Sequence, residues 1–123
     1  MSNILISINP EHVENIFNGT KKYEYRKTKC KKNIDKIIIY STYPTMKVVG
    51  EAKVEEILED TPNKIWEKTK NYSGVKLEFY QEYYKDREKA IAYKLAEVKK
   101  YNIPKELASY GIKTAPQSFV YIK

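Results

Sequence analysis

A helix, a glycine stop and a short charged strand occupy residues 9–26, and no other stretch restricts the fold as tightly. Asn9 is suited to cap a helix and Pro10 to open its first turn, while Val13, Ile16 and Phe17 recur at i, i+3 and i+4 before Gly19 stops it. In the strand that follows, period-two alternation sends Tyr23 and Tyr25 to one face and Glu24 and Arg26 to the other. Like-facing residues then stand roughly 6.6 Å apart, at about 3.3 Å per residue. The aromatic face is the expected core face and the charged face the expected site. Lys21, directly after the stop, falls at the mouth of the strand.

The pattern Gly19-x-Lys21-x-x-Glu24-x-Arg26, preceded by that helix and by a strand end carrying Ser7, Ile8 and Pro10, resembles the signature of the ASCH domain, a branch of the PUA-like superfamily. The segment Pro116-Gln117-Ser118-Phe119 falls in a compatible order near the other end of the chain. The resemblance implies an α+β fold: a PUA-like mixed, mainly antiparallel β-barrel with helices inserted between strands. It implies a cleft that takes RNA or a nucleotide, and in some members hydrolysis of RNA or of modified nucleosides. The start of the final strand would contribute to the same cleft, with Gln117 reading a base edge and Ser118 donating to phosphate or acting in hydrolysis. Members that deacylate modified cytidine use a threonine nucleophile where this chain has Glu24, so that activity is not expected. Cleavage of an RNA phosphodiester is less affected, because it needs only a base, an acid and charge stabilisation, with the 2′-hydroxyl as nucleophile.

The remaining elements are placed by periodicity. Residues 4–8 read as a first strand, and the β-branched run Lys36 to Tyr40 as a strand covered on both faces. From Val48 to Ile57 the residues alternate, with Val48, Gly50, Ala52 and Val54 on one face and Glu51, Lys53 and Glu55 on the other. Gly50 permits a bulge. Thr61-Pro62 opens a helix to about Thr69 with Ile65 and Trp66 inward, and Ser73-Gly74 precedes another whose Phe79, Tyr80, Tyr83 and Tyr84 have the spacing of core residues first, with stacking on the bases of RNA as the alternative. Ala90 to Val98 reads as a strand, Pro104 to Tyr110 as a short helical or irregular connection, and Phe119 to Ile122 as the last strand. Strands with helices inserted between them suggest a single α+β domain over residues 1–123.

Charge and cysteine content narrow the partners. A net charge of +7 favours a polyanion, although nearly all the basic residues are lysines. The two arginines, Arg26 and Arg87, are therefore the more informative cations, because a guanidinium offers a planar fork that lysine lacks. The run Lys27, Lys29, Lys31 and Lys32 is the nearest thing to a charge cluster. One cysteine and one histidine supply neither a disulfide framework nor a Cys/His zinc site, and no metal or cofactor is implied. No apolar run nears the length of about 20 residues that spans a membrane, nor does the start of the chain carry a secretory pattern. A cytoplasmic protein with an RNA or nucleotide partner is expected.

Two chemistries fit the candidate residues. As a binding module, Lys21 and Arg26 neutralise phosphate, Glu24 accepts from a base edge or orients the lysine, and Gln117 with Ser118 completes the pocket. The hydroxyls of Ser41 and Thr42, in the turn Tyr40 to Pro44, are further donors to phosphate or base. As a metal-independent hydrolase, a desolvated Lys21 acts as base or charge stabiliser, Glu24 shuttles the proton and Ser118 is the third catalytic candidate. A regulatory interaction protein is the remaining alternative. The plainer possibility for Glu24 and Arg26 is an ordinary ion pair, and for Cys30 a structural thiol. His12, in the first turn of its helix on the polar side, reads as a surface residue.

Overall fold

In a computed structural model, residues 2–31 and 33–122 are described; Lys32 of the lysine run, together with Met1 and Lys123 of the expected domain, lies outside them. Six strands, β1 (Ser2–Ile8), β2 (Tyr23–Arg26), β3 (Ile34–Ser41), β4 (Lys47–Asp60), β5 (Ala90–Lys105) and β6 (Phe119–Ile122), form one sheet in the order β2-β5-β4-β3-β1-β6. The β1–β3 pair is parallel and the other four pairs are antiparallel. The fold is therefore mixed α+β, as expected. The strand ladder leaves β2 and β6 as the two edges, so hydrogen-bonded strands do not close the sheet into the expected barrel.

Three helices, α1 (Pro10–Phe17), α2 (Pro62–Thr69) and α3 (Leu77–Tyr83), lie between the strands. Alternation on β1 and β3 divides the core. Ile4, Ile6, Ile37 and Ile39 pack with Val13 and Ile16 of α1, whereas Leu5, Ile38 and Tyr40 turn to the opposite face under Leu107, Tyr110 and Val120. The β-branched run is thus covered on both sides, the arrangement its composition requires. A third cluster joins Tyr25 of β2 to Ile65 of α2, Tyr80 and Tyr84 of α3, and Ala90 and Ala92 of β5.

Strand β4 keeps the expected alternation through Val54, and its register with β3 and β5 shifts next to Gly50. A Cβ at Gly50 would stand 2.5 Å from the Lys99 carbonyl and 2.7 Å from the Phe17 ring, so the residue's smallness admits both neighbours. Strand β5 continues to Lys105, well past the expected end at Val98, and the short helical or irregular connection expected from Pro104 to Tyr110 is a 3-10 turn at Leu107–Tyr110 that starts after the strand. Residues 97–100 are exposed, and it is pairing of 99 and 100 with β4 that extends the strand. Burial periodicity carries no signal for such a ribbon. Among the described residues, no helix is long and apolar enough to cross a membrane.

Candidate functional site

The start of α1, the strand β2 and the exposed flank of α3 enclose a cavity of about 160 Å³. Its positioning begins with α1. The Asn9 side chain accepts from the Glu11 amide at 3.0 Å, Pro10 occupies the first turn, and Gly19, with φ +87°, turns the chain into β2. Lys21 is then fixed by a bridge to Ser73, and Gly74 makes room for it, because a Cβ there would lie 2.7 Å from Lys21 Cγ.

Lys21 is far more enclosed than a residue at a strand mouth, with 2% of its surface exposed. Its ammonium donates to the Ser73 carbonyl at 3.0 Å, stands 3.9 Å from Glu24 Oε1, and lies 4.7 Å above the centre of the Tyr25 ring. Burial pushes its pKa down; Glu24 opposes that shift and Arg26 adds to it. Tyr25 is pushed up to about 12, chiefly by burial, while its hydroxyl shares a 2.7 Å hydrogen bond with Thr69.

Glu24 and Arg26 face the cavity together, as their alternation requires, and both are largely buried. Arg26 directs Nε and Nη2 onto Glu24 Oε2 at 2.9 and 2.8 Å. Nη2 also donates to the Ser7 carbonyl at the end of β1 (2.7 Å), and Nη1 to Ser118 Oγ beside β6 (3.3 Å). The guanidinium therefore ties one edge of the sheet to the other. Most of its fork is engaged by protein groups, leaving Glu24 Oε1 turned toward Lys21.

The other sequence candidates divide. Ser118 reaches the network through Arg26, and its carbonyl accepts from the Ser7 amide at 3.0 Å. Gln117, next to it, is exposed and lies outside the cavity lining. Ser41 is buried and lines a separate depression on another face of α1, while the Thr42 amide donates to the Ile8 carbonyl at 3.0 Å. Neither hydroxyl belongs to the cavity around Lys21. Cys30 is buried with Sγ 3.1 Å from the Tyr93 hydroxyl, and its pKa is raised by burial, an environment that suits a structural thiol.

Three wall residues read from the sequence first as surface or core rather than as site. His12, expected on the surface, is half-buried and meets Phe79 edge to face at 5.2 Å. Phe79 and Tyr83 were expected in the core with Tyr80 and Tyr84, but only the latter two are buried. Phe79 and Tyr83, one turn apart, lie nearly parallel (10°, centres 6.2 Å apart) on the cavity side, with Lys27 Nζ 4.7 Å above the Tyr83 ring. Their i, i+4 spacing was visible; which flank of α3 would meet β2 was not.

A family model described as ASCH domain matches residues 6–104 of the chain. ATP synthase subunit alpha of Ureaplasma parvum serovar 3 is 33% identical over 121 residues, 98% of this chain and 15% of that protein. Large ribosomal subunit protein uL22 of the same species is 31% identical over 121 residues, 98% of this chain and 39% of that protein. An ASCH domain-containing ribonuclease of Zymomonas mobilis is 30% identical over 92 residues, 74% of this chain and 62% of that protein. The chain thus spans less than two thirds of each of these relatives. Among solved structures, ASCH from Zymomonas mobilis superposes with a TM-score of 0.89 at 26% identity, over 98% of this chain and 87% of that one. A point mutant of the same protein gives 0.90 at 25% identity, over 100% of this chain and 91% of the mutant's.

Proposed function

The chain belongs to the ASCH domain family, and from that premise we propose that its cavity binds a nucleotide of an RNA strand and cleaves the adjoining phosphodiester bond. The observation that carries this reading is the buried Lys21 ammonium, set 3.9 Å from Glu24 on the cavity wall. A charged amine in that position serves a polyanion, and burial, by pushing its pKa down, eases the loss of its proton. The net charge of +7 steers a polyanion to the surface. The relative named as a ribonuclease supports RNA as the substrate.

A cavity of this size is of the order that holds one aromatic ring, about 150 Å³. In the proposed reaction the neutral Lys21 amine keeps an N–H for the Ser73 carbonyl and takes the proton of the ribose 2′-hydroxyl. The oxygen attacks the neighbouring phosphorus, the O2′–P bond forms, and the P–O5′ bond breaks. Glu24 Oε1 takes from Lys21 the proton that the amine has gained and passes it to the departing O5′, so that Lys21 returns to the neutral amine, and the product carries a 2′,3′-cyclic phosphate. Arg26 holds Glu24 in place. In this reading the sheet works as a PUA-like barrel whose seam is closed by Arg26 rather than by a strand ladder, and the protein acts on cytoplasmic RNA.

Incubation with end-labelled RNA, with binding followed in parallel, tests the reading. Lys21→Arg is expected to retain binding and to lose about 10²–10⁴ in cleavage rate, and Glu24→Gln to lose rate more than affinity, whereas Lys68→Ala, remote from the cavity, leaves both unchanged. Cleavage by Lys21→Arg and Glu24→Gln at the wild-type rate overturns the mechanism. Binding by the wild type without product limits the cavity to recognition.

A further inference from the structure

The charged groups of the cavity wall are already largely engaged within the protein. Lys21 donates to Ser73, Glu24 accepts from Arg26, and Arg26 also reaches Ser7 and Ser118. His12 differs. Its Nδ1 is, among the described residues, the one buried side-chain nitrogen or oxygen with no hydrogen-bond partner in the protein. A buried polar atom left unpaired is costly, and such an atom beside a cavity calls for a partner from outside the chain.

Two elements hold the ring there. His12 sits in the first turn of α1 and rests edge to face on Phe79 of α3, and the two side chains together form one wall of the cavity. A turn about the Cβ–Cγ bond exchanges the two edges of the imidazole with little rearrangement, because that torsion is broad and two-fold. The charged groups around it are Glu11 on its own helix, Lys21 just before β2, and Glu24 and Arg26 on β2; burial, with Lys21 second, pushes its pKa down. At neutral pH the ring is therefore uncharged, with one nitrogen carrying hydrogen and the other free to accept.

We propose that His12 is a ligand-contacting residue of this cavity, its neutral imidazole accepting a hydrogen bond from an N–H or O–H of the bound nucleotide. The inference rests on the nucleotide reading above and adds to it the residue that recognises an uncharged part of the ligand. The donor is either a ribose hydroxyl or the exocyclic amine of the base, two sources of the same chemistry.

The chain contains a single histidine, so in ¹⁵N-labelled protein the imidazole nitrogen resonances belong to His12 without assignment. On saturation with AMP, the free-acceptor nitrogen is expected to move upfield, the direction of hydrogen bonding. A shift kept with purine riboside monophosphate and lost with 2′-deoxy-AMP identifies the 2′-hydroxyl as donor, and the reverse identifies the amine; either result supports the proposal. His12→Phe keeps the ring contact with Phe79 and removes both nitrogens, so AMP affinity should fall about tenfold while the thermal midpoint, relieved of the unpaired nitrogen, does not fall. Imidazole resonances that stay put while the Lys21 and Glu24 amides shift, or an unchanged affinity in His12→Phe, overturn the inference and leave the nucleotide reading intact. Should no amide of the cavity move with AMP or with a short RNA, the nucleotide reading fails and His12 falls with it.

Discussion

Replacing Arg26 by alanine removes the two contacts to Glu24 Oε2, at 2.9 and 2.8 Å, and the bonds to the Ser7 carbonyl and to Ser118. The Glu24 side chain, 7% exposed, is left with Lys21 at 3.9 Å as its nearest cation. Exposed ion pairs contribute about 0–1 kcal/mol, but removing one partner of a buried pair costs about 3–5 kcal/mol because the other charge stays desolvated. At about 4 °C per kcal/mol for a domain of this size, the thermal midpoint should fall by roughly 12–20 °C. Urea unfolding followed by far-ultraviolet circular dichroism measures the same loss as a lower midpoint at constant slope. The double variant Arg26→Ala with Glu24→Ala should be more stable than the sum of the two single losses predicts, by about 2–3 kcal/mol, since it leaves no stranded carboxylate. A cost below about 1 kcal/mol for Arg26→Ala, or strict additivity in the double variant, would refute the view that this pair is a buried seam.

Gly50→Ala places a methyl group 2.5 Å from the Lys99 carbonyl and 2.7 Å from the Phe17 ring, so denaturant unfolding should show a loss of about 1–3 kcal/mol. The aromatic cluster sets the alkaline limit. Because the folded pKa of Tyr25 is raised to about 12 from 10.0, its contribution is complete below pH 10 and is lost as pH rises through about 12. Tyr25→Phe should flatten the fall in thermal midpoint across that window, at the cost of the Thr69 hydrogen bond.

What could be read from the sequence was local. The cap at Asn9, the proline after it and the stop at Gly19 act within a few residues of one another, and they place α1 and β2 without tertiary information. Lys21 and Glu24 follow because they ride on those elements. The partners of Arg26 do not: Ser118 lies 92 residues away, and only the sheet order brings it near. His12 was misplaced for a related reason, since a polar helix flank reads as solvent-facing until Phe79 is packed beside it. The hydroxyls of Ser41 and Thr42 have suitable chemistry, but Ser41, paired with Ile8 at the end of β1, lines another side of α1, and Thr42 lies outside the cavity lining.

The joint between Arg26 and Ser118 also has a temporal consequence. Chains emerge from the ribosome at about 5–20 residues per second, so an interval of 92 residues lasts roughly 5–18 s. Until its end, Arg26 on β2 lacks its Ser118 partner, while the α3 wall and the pairing strand β5 arrive partway through. Closing so long a loop is entropically costly and slows the pairing of β6 with β1. The Arg26 joint is consequently among the last features of the molecule to mature, and a nascent chain halted before Ser118 carries the lysine motif with that joint unfinished.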